Sequence, residues 1–220
     1  DAKTLQEAYR RIEQGVDSYA LTLRLLQPEA GYQWYSIRFR SIRDETGRAI
    51  KLIGQLTNIH HQKLEEDRLR HEASTDLLTQ IYNKITTEHL VSLELQEGRN
   101  HALIVVDLDK FKYANDTFGH LFGDSVIKAV AATLRATFRA TDIVGRTGGD
   151  EFVVLAKDIS LSDGLETLKA KCRRLSVELA HVSLGQDYVI SASIGISLFP
   201  RDGKTYAELF AKADAALYQI

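Results

Sequence analysis

The sequence predicts an α+β fold in two parts, a short antiparallel meander followed by a larger domain of strands and long helices. Apolar and polar residues alternate with a period of two between residues 19 and 56, which is typical of half-buried strands. From residue 75 onward, short apolar runs alternate with longer segments of helical composition. Two of the later strands flank a Gly-Gly turn, so we expect a hairpin at the centre of the larger domain.

The composition is that of a globular protein. Of the 220 residues, 44% are hydrophobic and 26% are charged, which excludes disordered and collagen-like chains and allows two units. The formal net charge of −2 gives no basic surface, so we expect no nucleic acid among the partners. The single cysteine, Cys172, cannot form an internal disulfide, and we expect a free thiol on a helix in a reducing compartment.

The sequence contains no pattern typical of a membrane anchor or a signal peptide. Its longest apolar run, 102–106, is far shorter than the roughly 20 residues that cross a bilayer. We therefore expect this segment to be cytoplasmic and to make no contact with a membrane. The sequence begins at Asp1 and contains no methionine, so we expect it to belong to a longer protein, which could be anchored in a membrane upstream.

The first part, residues 1–60, opens with a segment of helical composition. Three strands are predicted to follow, separated by turns rich in Gly, Pro, Asp and Glu, at 19–25, 32–42 and 50–56. This meander resembles the C-terminal half of a PAS sensor domain, although Asn58-Ile59-His60 stands where such domains usually close with Asp-Ile-Thr. We expect it to complete its core with upstream sequence or with a partner chain.

Residues 61–75 predict an exposed linker helix, because charged residues surround a sparse apolar series formed by Leu64, Leu69 and Ala73. A solvated helix and a short parallel pairing of two helices both fit this pattern. His60 and His61 are adjacent in sequence, so they cannot converge on one metal ion, and we expect both to face water.

The larger domain is predicted to span residues 76–220. Its helices are predicted at 75–96, 116–138, 162–182 and 205–218, and its strands at 102–108, 142–147, 151–156 and 188–198. This order predicts helices packed against a sheet that contains the hairpin.

Carboxylates follow directly on the most apolar strand. The run 101–106 ends in Asp107 and Asp109, at the mouth of a strand that we expect to be buried. A buried carboxylate needs a cation or a proton, so the sequence calls for a metal ion or a basic side chain here. Capping of the following helix is an alternative that suits Asp109 better than Asp107.

The predicted hairpin carries a second acidic pair. Gly148 and Gly149 stand where a tight turn is expected to need positive φ, and their missing side chains leave room for a ligand against the backbone. Asp150 and Glu151 follow at once and supply hard oxygen ligands of the kind that Mg²⁺ takes beside phosphates. Taken alone, such a turn is more often structural.

A series of motifs, in one order and spacing, resembles the GGDEF family of diguanylate cyclases over residues 75–220. The motifs are Asp107-Leu-Asp-Lys-Phe-Lys112, Asn115-Asp116, Gly119-His120, Gly123-Asp124 and Arg146-Thr-Gly-Gly-Asp-Glu-Phe152. The resemblance implies a nucleotidyl cyclase-like α+β domain whose central, mainly antiparallel sheet is flanked by helices. It also implies the joining of two GTP molecules into cyclic di-GMP.

The resemblance implies a metal site and a catalytic acid. Asp107, the backbone carbonyl of Leu108 and Asp150 match the residues that hold Mg²⁺, or Mn²⁺ in its place, against the GTP phosphates. Glu151 matches a residue that is either a base for the attacking 3′-hydroxyl or a ligand of a second metal. The sequence does not decide between these two roles.

Six residues match the substrate-binding positions of the family. Phe111, Lys112 and Gly149 lie where the triphosphate is contacted, although Lys112 could equally be a solvent-facing lysine. Asn115 and Asp124 match the guanine readers, with His120 nearby. A carboxylate accepts hydrogen bonds from guanine but would be left unpaired by adenine, which implies a preference for GTP. Taken alone, Asn115-Asp116 could be a helix cap.

Arg139 and Asp142 match the inhibitory site of the family, where these residue types hold the guanines of the product. An Arg and an Asp three residues apart are more often a pair on a helix surface. Their place shortly before Gly148 favours product binding and feedback inhibition by cyclic di-GMP.

The sequence departs from the family at two places. The opening motif reads Asp76-Leu-Leu-Thr-Gln-Ile-Tyr-Asn-Lys84, in which Gln80 and Lys84 replace the usual Gly and Arg, and this weakens the prediction of a turn there. The motif Ala213-Asp214-Ala-Ala-Leu-Tyr218 is present, but the sequence ends at Ile220, before the lysine that usually follows and helps to hold the triphosphate.

One such domain holds one GTP, so the resemblance implies a homodimer. We expect the first part and the linker to set the mutual orientation of its two GGDEF domains. Two rivals are a GGDEF fold that only binds GTP or cyclic di-GMP and a cyclase that makes mixed purine dinucleotides. Asp150 and Glu151 argue against the first rival, and Asp124 argues against the second.

Overall fold

The computed structural model describes residues 2–160, 164–185 and 188–217. The chain divides into two compact units, Asp1–His71 and Glu72–Ile220. The helices are α1 Ala2–Glu13, α2 His60–Ser74, α3 Lys84–Leu95, α4 Phe111–Phe118, α5 His120–Thr137, α6 Gly164–Ala180 and α7 Tyr206–Leu217. The strands are β1 Ser18–Gln27, β2 Gly31–Arg43, β3 Ala49–Asn58, β4 His101–Leu108, β5 Ile143–Arg146, β6 Glu151–Ala156 and β7 Ala192–Phe199.

The first unit contains the predicted meander. β1, β2 and β3 form a three-stranded antiparallel sheet in that order, which confirms the strand prediction. Its core is small: Ala8 of α1 packs with Leu21 and Leu23 of β1, while Leu52 and Leu56 of β3 stay 44% and 54% exposed. A sheet this thinly covered has little apolar burial to stabilise it.

The helix α2 follows, and over its whole length it buries none of its residues. His61 is exposed as expected, but His60 is half-buried, and its Nδ1 atom is shielded from solvent with no hydrogen-bond partner among the described residues. The expectation that His60 faces water is therefore wrong. At the start of the helix, Asn58 Oδ1 accepts a hydrogen bond from the backbone N of His60 at 2.9 Å.

The second unit is built on a four-stranded sheet in the order β5-β6-β4-β7, in which every strand pairing is antiparallel. Residues alternate between its two faces, so β4 sends Ile104 and Val106 into a core with α5 and α6, and Leu103 and Val105 into a core with α3 and α7. The predicted sheet flanked by helices is confirmed. Burial of each such side chain contributes about 1.5–3 kcal/mol.

The predicted helix 75–96 is wrong in its first part, because α3 begins only at Lys84. Residues 75–83 form a turn closed by a bridge between Thr75 and Tyr82. The Asp76 side chain accepts hydrogen bonds from the backbone N and the hydroxyl of Thr79, at 2.9 and 2.6 Å. Such side-chain hydrogen bonds compete with the backbone hydrogen bonds of a helix. Gln80 also takes a left-handed conformation, with a φ of 60°.

The predicted helix 116–138 is in fact two helices, α4 and α5, separated by Gly119, whose φ of 86° no continuous helix tolerates. The predicted strand 188–198 is shorter at its start, since pairing with β4 begins at Ala192. α6 matches its prediction from residue 164 but ends at Ala180, two residues early, and α7 matches from Tyr206 to Leu217. Positions 162, 163 and 218 of the predicted helices lie outside the described residues.

Cys172 is a buried free thiol on α6, as expected, and burial raises its pKa to about 11. A thiol with so high a pKa carries almost no thiolate near neutral pH, so we expect it to be unreactive. Within the described ranges, every helix is too short or too polar to cross a lipid bilayer.

Candidate active site

The acidic residues of the two motifs meet at one end of the central strands. The register of β4 and β6 places Asp107 directly opposite Glu151, so both side chains lie on the face that carries α3 and α7. The backbone N of Leu108 donates to the carbonyl of Asp150 at 3.2 Å. Residues 42 and 44 positions apart in the sequence are thus joined by the sheet, and the carboxylates of Asp107, Asp150 and Glu151 lie close together.

The carboxylates repel one another. Burial raises the pKa of Asp107, and the charges of Asp150, Glu151, Asp109 and Asp214 raise it further. Within the described part of the chain, neither the Asp107 nor the Asp150 side chain accepts a hydrogen bond from a positively charged group that would offset this repulsion. Bringing a cation between the two carboxylates would remove the repulsion.

The donor set is suited to a hard cation that is also bound by substrate. Among the described residues, no group of three or more His, Cys, Asp or Glu side chains is arranged to hold a metal ion. Two carboxylates and a backbone carbonyl are nevertheless what Mg²⁺ takes from a protein when phosphates and water complete its octahedron. The residues present therefore fit Mg²⁺ bound together with a nucleotide.

Asp109 does not cap the following helix, so that alternative is wrong. Lys110 occupies the cap position of α4, with a φ of 55° and no side-chain cap. Asp109 is instead held by the neighbouring strand region: its backbone N donates to Ser191 O at 3.0 Å, and its Oδ1 accepts from the Ser193 hydroxyl at 2.8 Å. Its carboxylate is thereby fixed beside the acidic cluster.

The Gly-Gly loop differs from the expectation in its backbone. Neither Gly148 nor Gly149 lies in the left-handed region, so the prediction of positive φ is wrong. The loop is shaped by Arg146, whose guanidinium donates to Gly148 O at 3.1 Å and to Gly149 O at 2.7 Å. Because a side chain holds the carbonyls in place, the turn does not depend on a glycine-only conformation.

Arg146 also reaches Asp76, at 3.1 Å, in the turn that precedes α3. Burial raises the pKa of Asp76, but hydrogen bonds from Thr79 and the charged Arg146 outweigh burial and hold it below its usual value. The sequence did not predict this ion pair. A signal was present, because Asp76 in the opening motif and Arg146 before the Gly-Gly turn are opposite charges to which the sequence analysis assigned no role.

Gly149 faces open space. A Cβ atom at this position would have no atom within 4 Å, which leaves room for a ligand against the backbone.

We expect Gly149→Ala to change the free energy of unfolding by less than about 0.5 kcal/mol, since it neither clashes nor strains the backbone. If a nucleotide occupies this space, the added methyl group should weaken its binding by about tenfold. Thermal unfolding and titration with a non-reactive GTP analogue measure the two effects; unchanged affinity would contradict this role of Gly149.

The helices α4 and α5 bring together the residues predicted to read the base. Asn115 lies inside α4 and does not cap a helix, so the capping alternative is wrong. Its Oδ1 would be 1.9 Å from a Cβ atom on Gly123, so the missing side chain of Gly123 makes room for Asn115 beside Asp124. His120 and Asp124 are exposed, one turn apart on α5.

The residues predicted to contact the triphosphate follow the strand β4. Phe111 and Lys112 form the first turn of α4, directly after the acidic end of β4, and the Lys112 side chain is exposed. The amides of a helix's first turn have no partners within the helix and attract anions.

Arg139 and Asp142 are not a pair on a helix surface, because α5 ends at Thr137. Asp142 is only 7% exposed, and its carboxylate accepts hydrogen bonds from the backbone N of Arg139 at 2.8 Å and of Lys157 at 3.1 Å. Together with Lys157 and Lys171, they line a cleft of about 250 Å³. The cleft lies at the start of β5, whereas the Gly-Gly loop follows its end.

Comparison with known proteins identifies the second unit. A family model described as "Diguanylate cyclase, GGDEF domain" matches residues 73–220. The bifunctional diguanylate cyclase/cyclic di-GMP phosphodiesterase MucR of Pseudomonas aeruginosa is 38% identical over 147 residues, which are 65% of this chain and 21% of MucR. The diguanylate cyclase DosC of Escherichia coli is 30% identical over 207 residues, 89% of this chain and 44% of DosC. The chain thus spans less than half the length of these relatives.

Solved structures show the same fold. A sensory box/GGDEF family protein from Caulobacter crescentus is 34% identical, with a TM-score of 0.61 over 66% of this chain and 96% of that one. The coiled coil and GGDEF domain of DgcB from the same organism, solved in complex with c-di-GMP, is 25% identical, with a TM-score of 0.66 over 73% of this chain and 86% of that one.

Proposed function

Since the chain belongs to the GGDEF family of diguanylate cyclases, we propose that it condenses two GTP molecules into cyclic di-GMP and releases two pyrophosphates. One observation carries the proposal: the sheet brings Asp107, Asp150 and Glu151 together beside an open backbone at Gly149. Because these carboxylates repel one another, the cluster costs stability unless a cation is bound, which favours a working metal site.

We assign Asp107, the Leu108 carbonyl and Asp150 to hold Mg²⁺, or Mn²⁺ in its place, which when bound neutralises phosphate charge and polarises the α-phosphorus. The 3′-hydroxyl of one GTP attacks the α-phosphorus of another, and pyrophosphate leaves. We assign Glu151 to take the proton of that hydroxyl, or to act through a second cation. Lys112 offsets the charge that develops on the phosphates.

The remaining residues bind the substrate. We assign the triphosphate to Phe111, Lys112 and Gly149, and the guanine to Asn115, Asp124 and His120, at the α4–α5 elbow. The carboxylate of Asp124 can accept from both guanine donors, whereas adenine offers an acceptor at the same edge. Bound ATP would leave the Asp124 carboxylate without a hydrogen-bond donor, so the site should bind GTP in preference to ATP.

Two domains must face each other for reciprocal attack, so the working enzyme is a homodimer. We propose that residues 1–60, a partial PAS-like sensor, act through the linker 61–75 on the cyclase domain 76–220. The motivation is the order of these parts along the chain. Equal rates and equal dimerisation for the whole chain and for residues 61–220 would contradict regulation by the sensor.

The cleft at Arg139 suits feedback inhibition. We expect Arg139→Ala to raise the concentration of cyclic di-GMP that halves the rate by roughly 10-fold or more, because charged hydrogen bonds contribute about 1.5–3 kcal/mol. Each variant is measured against its own uninhibited rate. Arg135→Ala, on the exposed surface of α5, serves as the matched control. Equal inhibition of the two variants would contradict a product site here.

Product analysis tests the activity itself. The protein is incubated with Mg²⁺ and GTP, or with GTP and ATP, and the products are identified by mass spectrometry. Cyclic di-GMP and pyrophosphate in a ratio of one to two are expected in both mixtures. A mixed dinucleotide would show altered specificity, and tight binding of GTP or cyclic di-GMP without turnover would show a receptor instead of an enzyme.

A further inference from the structure

Thr147 lies opposite Glu151 where the Gly-Gly loop closes. Its backbone N donates to Glu151 O at 3.0 Å, so the two residues close the loop directly beyond the last cross-strand pair, Arg146 and Phe152. Thr147 is 9% exposed, and its hydroxyl lies within hydrogen-bond distance of Oε1 of the Glu151 side chain. A buried hydroxyl is thus aimed at a carboxylate that the proposed function requires.

The Thr147 hydroxyl can donate one hydrogen bond, and the Glu151 carboxylate accepts it. The other acceptor in reach, the Glu151 carbonyl, is 3.4 Å away and already accepts from the Thr147 backbone N. The carboxylate oxygen is nearer and carries charge, so it is the stronger acceptor. Thr147 is β-branched and buried, and its hydroxyl direction is therefore fixed by few rotamers.

Glu151 needs such a restraint. Asp107 stands directly opposite it in the sheet and Asp150 precedes it in the chain, so like charges push its carboxylate away from the cluster. Three side-chain torsions give glutamate ample freedom to yield to that push. Within the described residues, the hydrogen bond from Thr147 is the one that the Glu151 side chain accepts, and it involves Oε1 alone.

We infer that Thr147 is a positioning residue for the proposed cyclase reaction: its hydroxyl fixes the Glu151 carboxylate by Oε1 and leaves Oε2 to act on the nucleotide. The inference rests on the proposed function, because it assigns Glu151 a part in the reaction. Thr147 itself touches no reacting atom and works through Glu151.

Removal and restoration of the hydroxyl test this role. Thr147→Val keeps the shape and loses the hydrogen bond, and we expect kcat to fall about 10- to 100-fold, the cost of a reacting group displaced by about 1 Å. The affinity for a non-reactive GTP analogue should change less than about twofold. Thr147→Ser retains the hydroxyl and should return kcat to within about threefold of the unchanged protein.

A matched control and a structural measurement complete the test. Thr133→Val removes a half-buried hydroxyl that donates to a backbone carbonyl of α5, and it should leave kcat unchanged. A crystal structure of Thr147→Val should show the Glu151 carboxylate moved from its position in the unchanged protein.

The outcomes separate the two proposals. Wild-type kcat in Thr147→Val, equal losses in the Val and Ser variants, or an unmoved Glu151 carboxylate would each overturn the role of Thr147. Absence of cyclic dinucleotide synthesis by the unchanged protein would overturn the proposed function, while the position of Glu151 in the Thr147→Val crystal would still test the restraint.

Discussion

Asp107→Asn is expected to lower kcat/KM for cyclic di-GMP synthesis by at least about 1000-fold. Asp107 faces Glu151 across the sheet, beside the segment that carries Asp150, and it supplies one of the two carboxylates of the proposed metal site. Loss of a charged ligand removes several kcal/mol of stabilisation from the transition state. The measurement is the initial rate over a range of Mg²⁺ and GTP concentrations.

The same substitution should raise stability in the absence of metal ions. The pKa of Asp107 is raised above its ordinary value of 3.8 in the folded chain, first by burial and then by neighbouring carboxylates. The unfolded chain therefore loses this proton at lower pH than the folded chain, and stability falls as the pH rises from 3.8 through the folded value. Asparagine removes that loss, so the metal-free variant should unfold at a higher temperature at pH 7 and respond less to added Mg²⁺.

Asp109→Asn is the matched control for both measurements. It neutralises the neighbouring carboxylate, whose Oδ1 is engaged by the Ser193 hydroxyl, so its loss of activity should be at least tenfold smaller. If Asp107→Asn retains full activity, or loses both activity and thermal stability, the metal-site assignment is wrong.

Gly195→Ala should be the most destabilising single-methyl change in the second unit. Gly195 lies on β7, and a Cβ atom there would be 1.9 Å from the carbonyl O and 2.8 Å from the carbonyl C of Ala213 on α7. Those atoms are backbone and cannot turn aside, so the helix must shift. We expect a loss of about 3 kcal/mol and a fall in the unfolding midpoint of roughly 6–12 °C.

The control for the packing prediction is Gly149→Ala, which adds the same methyl group where it meets nothing. Comparison of the two midpoints, by calorimetry or circular dichroism, isolates the contact with α7. A fall of less than about 2 °C for Gly195→Ala would mean that α7 can move away from the sheet at little cost.

The strands could be predicted because their signal is local. The two-residue period of β1–β3 and the apolar run of β4 are visible in the sequence, and the turns between them contain the expected residues. The meeting of Asp107 with Asp150 and Glu151 was implied by the resemblance to the GGDEF family, and the β4–β6 register accounts for it.

The turn at residues 75–83 and the loop at Gly148-Gly149 could not be predicted because their causes are side chains. A hydrogen bond from Thr79 to Asp76 replaces helix in the first case, and the Arg146 guanidinium replaces a glycine conformation in the second. The bond between Thr147 and Glu151 also depends on the exact closing pair of the hairpin, which the motif does not specify.

Arg146 and Asp76 are 70 positions apart in the sequence, yet one guanidinium spans the distance between the turn after α2 and the loop that carries Asp150. The end of α2 is itself fastened to this turn, since Asn83 Nδ2 donates to Ala73 O at 2.8 Å. The last residues of α2 and the Gly-Gly loop are therefore connected by side-chain hydrogen bonds of Asn83 and Arg146, in addition to the backbone pairing of the sheet.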